Sequence, residues 1–325
     1  ENPLFYETDM WVTIATGLYS LLIYLKLLFV PHPLVFYYGF NHIPIVGMAN
    51  AWVVLSLIVH IGLFVYALFG IKSKSLISYG IFYYLITISI FSNLFFAIPG
   101  IVGERLLFMP SLGFCIIVGY ALYKIISKGK SAIEFTGAIR NRILIITAII
   151  LLPYSVKTIA RNFNWKDHLT LYMHDIPALK NSLHANALVA SHLLQEINPK
   201  TQSSEEVNVK LSQVIKHFEQ VLKLDNNEKR TLNNLGTIYY DFYMQYEKAI
   251  SYFDRAVKID PGFSAAWFNK GYCHEQLEEY EKAKAAYMQA LTLKENDIMT
   301  ISNLARACFN LGELKEAKSL NERIS

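Results

Sequence analysis

Two kinds of sequence follow one another in this chain. Residues 1–160 contain five apolar runs, at 11–30, 51–71, 76–98, 107–126 and 143–159, while the residues after 181 repeat with a regular period. A helix needs roughly 20 residues to cross the hydrocarbon layer of a bilayer. The sequence therefore predicts an all-α chain, in which a polytopic bundle of about five transmembrane helices precedes a helical repeat domain.

Basic residues in the links between the runs predict the orientation in the membrane. Two links carry them, with Lys72 and Lys74 between runs two and three, and Lys128, Lys130, Arg140 and Arg142 between runs four and five. Five spans place both links on one side, which the positive-inside rule makes cytoplasmic. The loop at 31–50 has no Lys or Arg, and it lies on the opposite side together with everything after run five.

Composition excludes some function classes. The net charge of +4 is too small and too spread out for a nucleic-acid-binding protein. The three cysteines form no disulfide framework, and we expect Cys273 and Cys308 to be buried thiols inside repeat helices.

The repeat period is 34 to 35 residues, the length of a tetratricopeptide unit. Gly236 is followed by Gly271 after 35 residues, and Ala283 by Ala317 after 34. An earlier, degenerate unit begins near residue 181, and the polar stretch 198–206 is expected to lengthen the turn between its helices. The predicted organisation is a transmembrane domain at 1–160, an interfacial linker with a short helix at 161–180, and about four repeats at 181–325, the last of them incomplete.

One asparagine recurs at the same position in each predicted unit, at Asn186, Asn234, Asn269 and Asn303. The position lies on the first helix of the unit, which lines the concave face of such a solenoid. A carboxamide offers donors and an acceptor, so the row predicts a ladder that binds the backbone of an extended peptide. Hydrogen bonding inside each repeat is the alternative.

Glu104 and Arg105 are the unusual residues of the membrane half. Glu104 is the only acidic residue between positions 10 and 133, and Arg105 is the only arginine before residue 140. Ionisable residues at a membrane edge are functional candidates, and Arg105 has the chemistry to bind a lipid phosphate. The alternative is an interfacial charge pair that ends a helix.

Two histidines, His32 and His42, lie in the aromatic loop at 31–50. They are candidates to face a polar substrate, whereas Tyr37, Tyr38 and Phe40 fit an interfacial aromatic belt. Two histidines ten residues apart with no acid nearby are a weak metal signal. We therefore predict no metal site.

The stretch 103–115, Gly-Glu-Arg-Leu-Leu-Phe-Met-Pro-Ser-Leu-Gly-Phe-Cys, is the most specific motif of the chain. Together with residues 9–44 and the repeats, it resembles the transmembrane and tetratricopeptide repeat-containing family of O-mannosyltransferases. The resemblance implies a GT-C-type membrane domain in the endoplasmic reticulum, with lumenal repeats. It also implies transfer of mannose from dolichyl-phosphate-mannose to Ser or Thr of secretory-pathway proteins, with cadherin-type domains as expected acceptors. Beyond this donor substrate, the sequence assures no cofactor.

The chain departs from the GT-C pattern in one respect. Enzymes of that type place acidic catalytic residues in the first lumenal loop, and residues 10–133 hold no pair of carboxylates. Only Glu104, His32 and His42 are available as a general base on the lumenal loops. Because the chain opens with Glu1-Asn2-Pro3, we expect it to be an internal piece, with the catalytic acid upstream. The chain by itself is then expected to be inactive.

Two other functions fit the same sequence. A membrane-anchored repeat adaptor would hold partner proteins at the membrane without chemistry. A transporter or assembly factor of a bacterial envelope would use the Glu-Arg pair in a lipid-carrier site.

Overall fold

Long apolar helices alternate with short polar links in the first part of the chain. The computed structural model describes residues 7, 9–36, 38, 43–94, 102–127 and 137–323. The chain forms two compact units, Glu1–Ala185 and Asn186–Ser325. Fourteen α-helices and no strand occur in these residues, apart from one isolated bridge between Tyr38 and Val102, so the predicted all-α fold is confirmed.

The first unit contains six helices and a 3-10 helix. They are α1 (Met10–Phe29), α2 (Ala51–Phe69), α3 (Leu76–Ser89), the 3-10 helix Glu104–Leu107, α4 (Phe108–Ser127), α5 (Gly137–Asn164) and α6 (His168–Asp175). Among the described residues, four segments are long and apolar enough to cross a membrane: Met10–Phe29, Ala51–Phe69, Phe108–Ser127 and Arg140–Asn164.

The third apolar run gives a shorter helix than its length predicts. α3 ends at Ser89, after 14 residues, and Asn93, four residues later, has a φ of 59°. The freed backbone is satisfied locally, since the Ser92 hydroxyl donates to Ser89 O at 2.7 Å and accepts from Leu94 N at 3.3 Å. Ser92 and Asn93 are buried, and irregular backbone at membrane depth is tolerated where protein covers it. The number of crossings stays a prediction.

Helices α3 and α4 cross with their backbones in close approach. A Cβ added at Gly113 would lie 2.5 Å from Gly80 O, and one added at Gly80 would lie 2.8 Å from Gly113 O. Small residues at a crossing let membrane helices approach closely. Gly113, in the motif at 103–115, is therefore a packing residue.

Helices α1, α2 and α3 are joined by a buried polar cluster. The Ser56 hydroxyl donates to Leu18 O at 2.5 Å, and His60 Nδ1 lies 2.7 Å from Ser56 O. His60 Nε2 lies 3.3 Å from the Tyr84 hydroxyl. Each of these polar side chains has a partner, which is the condition for burying it away from water.

Four helix pairs follow. Their eight helices are α7 (Leu183–Gln195), α8 (Ser204–Leu224), α9 (Lys229–Asp241), α10 (Tyr246–Ile259), α11 (Ser264–Gln276), α12 (Tyr280–Leu293), α13 (Ile298–Asn310) and α14 (Leu314–Glu322). The division between the two units falls inside α7.

Close helix packing explains the repeat positions. Phe253 is fully buried, and a Cβ at Gly236 would lie 2.6 Å from its ring, so only glycine admits the ring. Cys273 and Cys308 are buried as predicted, and burial raises the pKa of the Cys273 thiol to about 12.

Two local expectations need correction. The turn between α7 and α8 ends at Ser203 rather than at Glu206, because these two residues form a reciprocal capping box that starts α8 at Ser204. The predicted linker helix is present as α6, but residues 161–164 continue α5, whose last residue is Asn164.

Candidate functional site

Two regions hold the residues predicted from the sequence: the loops at one end of the membrane helices, and the first helices of the repeats. Each region lies within a single unit, and each is described by itself.

The loop after α1 is bound to the stretch that precedes the 3-10 helix Glu104–Leu107. Val102 N donates to Tyr38 O at 3.2 Å, and Gly103 N donates to the Tyr24 hydroxyl at 3.0 Å. Two loops predicted to share one side of the membrane are therefore in contact. The hydrogen bond from Gly103 fixes the residue at which the 3-10 helix begins.

The structure places only part of the predicted membrane site. The backbone of Glu104 and Arg105 forms the start of the 3-10 helix, and their side chains lie outside the described part of the structure, as does the whole of His42. His32 is exposed in the loop after α1. Their predicted roles stay predictions.

A buried ion pair that sequence reasoning missed lies beside this loop. Arg161 Nη1 and Nη2 donate to the two carboxylate oxygens of Asp175 at 2.5 and 2.8 Å. Phe36 N donates to Asp175 Oδ2 at 2.7 Å, and His174 Nδ1 lies 2.8 Å from Asp175 Oδ1. Both charges are buried, and a paired geometry with further hydrogen bonds offsets the cost of desolvating them.

On the repeats, the four asparagines have different surroundings. Asn186 is only 2% exposed, and its Oδ1 lies 3.0 Å from His217 Nδ1. An amide buried to this extent presents no atoms to a ligand from solvent, which agrees with the alternative of hydrogen bonding inside the repeat. Asn234, Asn269 and Asn303 are half-buried on α9, α11 and α13.

Side-chain hydrogen bonds join the first helices of successive repeats. Asn269 Nδ2 donates to Asn233 Oδ1 at 3.0 Å, which connects α11 to α9. Arg306 on α13 donates through Nη2 to Glu275 Oε2 on α11 at 3.0 Å and to Asn303 Oδ1 at 3.1 Å. These bonds connect α9, α11 and α13, and they leave amide and guanidinium groups at the surface.

Tyrosines lie beside these polar groups. The rings of Tyr240 and Tyr272 have centroids 5.3 Å apart. Burial raises the pKa of Tyr240 to about 12 and also raises the pKa of Tyr272. Both hydroxyls therefore stay protonated at neutral pH, as donors. Rings and amides side by side provide packing and hydrogen bonding for a polypeptide.

One group of side chains has the composition of a metal site. Candidate ligand atoms of Cys308, Glu313 and Glu316 lie within 4.8 Å of one another. The Lys284 ammonium lies 2.6 Å from a carboxylate oxygen of each glutamate and already supplies the positive charge. The cluster is explained as an ion-pair network between α12 and α14.

Comparison with known proteins finds repeat models and several relatives that match this chain. The tetratricopeptide repeat model matches residues 230–263 and 264–297. The chain is 26% identical over 266 residues to protein O-mannosyl-transferase TMTC3 of Homo sapiens, covering 71% of this chain and 28% of that protein. It is 29% identical over 203 residues to protein O-mannosyl-transferase Tmtc3 of Drosophila melanogaster, covering 62% of this chain and 16% of that one.

The chain thus spans less than a third of the length of these relatives. Among solved structures, MamA matches with a TM-score of 0.42 and 16% identity, covering 48% of this chain and 84% of that one. The second tetratricopeptide domain of Spaghetti (RPAP3), bound to an HSP90 peptide, matches with a TM-score of 0.29 and 23% identity, covering 30% of this chain and 92% of that one.

Proposed function

Because the chain fits the transmembrane and tetratricopeptide repeat-containing family, we propose that it is part of a protein O-mannosyltransferase. One observation carries the proposal. The alignment with the human relative covers 71% of the chain, whereas residues 181–325 make up less than half of it. The similarity therefore extends beyond the repeats into the residues before 181, which a shared repeat alone does not explain.

The membrane unit is proposed to act on the sugar donor. Dolichyl-phosphate-mannose is the donor that the family implies, and Arg105 is the residue proposed to bind its phosphate. Glu104, His32 and His42 are proposed to support the catalytic group. The hydrogen bond between Gly103 and Tyr24 supports this role, because it anchors the residue directly before Glu104.

The location proposed for the protein is the endoplasmic reticulum membrane, with the repeats in the lumen. The loops at 31–38 and 102–103 are in contact, which supports their lying on one side of the membrane. The absence of Lys and Arg from residues 31–50 favours the lumenal side.

Transfer of mannose in membranes containing the full-length parent protein tests the donor role. Arg105→Ala and Glu104→Gln are expected to lower transfer from dolichyl-phosphate-mannose by about tenfold or more, since loss of one charged contact in a desolvated site costs about 2–4 kcal/mol. Arg140→Ala, at an exposed arginine at the start of α5, is the matched control. If Arg105→Ala and Glu104→Gln transfer mannose at the wild-type rate at equal expression, neither residue belongs to the proposed donor site.

The repeats are proposed to bind the acceptor polypeptide through the asparagines on the first helices of the repeats, α9, α11 and α13. Asn269 donates to Asn233 on α9, and Asn303 accepts from Arg306 on its own helix. The rings of Tyr240 and Tyr272 add apolar contact. A chain in extended conformation presents alternating carbonyl and N–H groups that such amides can pair with. Asn234 is included in the proposed binding surface because it occupies the equivalent position on α9. Asn186 is proposed to have a structural role only, since it is buried against His217.

The double variant Asn234→Ala with Asn269→Ala tests this binding. It is expected to raise the KM for the acceptor by about fivefold to thirtyfold, if two hydrogen bonds of about 0.5–1 kcal/mol each are lost, with no change in donor KM. Asn321→Ala, on the second helix of the last pair, is the control. An unchanged acceptor KM would show that the first-helix asparagines have only a structural role.

A non-catalytic adaptor is the alternative function. The surface on α9, α11 and α13 is compatible with partner binding whether or not chemistry follows. If the full-length protein in membranes binds the acceptor polypeptide but transfers no mannose to it, the adaptor function is favoured.

A further inference from the structure

A cavity of about 500 Å³ opens beside the Arg161–Asp175 pair, and of its polar lining residues only His32 is also a candidate for the proposed transfer reaction. It lies wholly within the first unit, between the end of α5, the loop after α1 and the end of α6. Its polar lining residues are His32, Lys157, Arg161, Asn164, His174 and Asp175.

The ion pair forms the rigid wall of this cavity. Asp175 accepts from both Arg161 nitrogens and from Phe36 N, so its charge is compensated and its oxygens are occupied. His174 Nδ1, at 2.8 Å from Asp175 Oδ1, is the protonated nitrogen, because a carboxylate can only accept. Asp175 therefore holds Arg161, Phe36 and His174 in place and contributes little net negative charge to the cavity.

Lys157 then supplies uncompensated positive charge. It lies four residues before Arg161 on α5, and therefore on the same face of the helix. No acidic partner of Lys157 occurs in the described part of the chain. His32 and Asn164 add hydrogen-bonding groups. A cation beside hydrogen-bonding groups in a cavity of this size fits an anion with several oxygens, such as a phosphate group.

The depth of the cavity indicates where that phosphate comes from. The Tyr154 hydroxyl donates to Phe29 O at 2.7 Å, so Tyr154 lies level with the end of α1. Lys157 is three residues further along α5, about 4–5 Å at 1.5 Å per residue. The headgroup layer on each side of a bilayer is about 5–7 Å thick, and Lys157 therefore lies at headgroup level.

We propose that this cavity binds the phosphate of an anionic membrane lipid, with Lys157 as its main cationic contact and the Asn164 amide as a further hydrogen-bond donor. The binding proposed here does not depend on the transferase activity. A bound headgroup here would hold together the loop after α1, α5 and α6, which all contribute to the lining.

Lipid retention by the whole chain in phosphatidylcholine nanodiscs containing phosphatidic acid tests the proposal, measured by native mass spectrometry. Phosphatidic acid should be retained in preference to phosphatidylcholine. Lys157→Gln is expected to weaken retention by about fivefold, the effect of one basic residue near a charged surface, and Lys157→Arg should largely restore it.

Lys166→Gln is the matched control, since Lys166 is exposed two residues after the end of α5 and does not line the cavity. Equal losses in Lys157→Gln and Lys166→Gln, or no preference for phosphatidic acid, would overturn the site. Circular dichroism shows whether each variant is folded. Competition by inorganic phosphate at concentrations matching the lipid would keep the phosphate site but assign it to free phosphate. Its failure to compete supports the lipid.

Discussion

The two units differ in where they place large apolar side chains. In the first unit, Ile58 on α2 and Ile149 and Leu152 on α5 are 63%, 64% and 65% exposed, as expected where lipid is the solvent. In the second unit, Phe253 and Tyr287 are fully buried. The comparison teaches that the second unit is held by removing apolar area from water, whereas the first needs other contacts to specify its packing.

Those other contacts are close backbone approach and buried hydrogen bonds. Gly80 and Gly113 bring α3 and α4 together, and the bond from Ser56 to Leu18 O joins α2 to α1. Lipid tails are as apolar as leucine, so burying a leucine between membrane helices gains little. Substitutions that remove volume should therefore harm the second unit most, and substitutions that add volume at crossings should harm the first.

The largest effect is expected for Phe253→Ala. This fully buried ring packs over Gly236, and its removal should cost about 3–5 kcal/mol of the free energy of unfolding. Hydrogen exchange of α9–α12 peptides, measured on the whole chain in detergent, should become faster. Phe309→Ala, at a ring 63% exposed, should change little. Equal protection in both variants would contradict an apolar core as the source of stability.

A smaller loss is expected for Gly113→Ala. The added methyl would lie 2.5 Å from Gly80 O and 2.8 Å from Tyr84 N, both backbone atoms, so α3 and α4 must separate at a cost of about 1–3 kcal/mol. The apparent melting temperature in detergent reports it. Gly119→Ala on the same helix meets no atom within 4 Å and should be neutral or slightly stabilising. An unchanged melting temperature for Gly113→Ala would show that the crossing of α3 and α4 does not need the close backbone approach at this glycine.

The smallest effect is expected on mild acidification. Burial, together with the charge of Lys216, lowers the pKa of His217 below its ordinary value. The unfolded chain therefore binds a proton first as the pH falls. The stability that His217 contributes is present above pH about 6.5 and is lost as the pH falls through the lower folded pKa.

Hydrogen exchange of α8 at pH 7 and pH 5.5, corrected for the intrinsic exchange rate, measures this loss. His217→Gln should flatten the dependence on pH, although His184, whose pKa burial also lowers, keeps part of it. The same slope in wild type and His217→Gln would assign the effect to other groups.

Several features of the fold were readable from the sequence because they depend on local periodicity. Apolar runs of spanning length predicted the long helices of the first unit, and the 35-residue step from Gly236 to Gly271 predicted the repeats. The third run gave a helix that ends at Ser89, before a buried turn in which the Ser92 hydroxyl is hydrogen-bonded, and its role as a membrane crossing stays a prediction. Composition alone does not show such a turn.

The candidate site divides in the same way. The sequence by itself determined that Asn234, Asn269 and Asn303 share one face of the repeat, because their spacing follows the helix and repeat periods. Only the tertiary structure decided that Asn186 is buried against His217, that Arg161 pairs with Asp175, and that Gly113 lies on Gly80. The physical reason is that these contacts join residues far apart in sequence, at separations with no period, and packing alone brings them together.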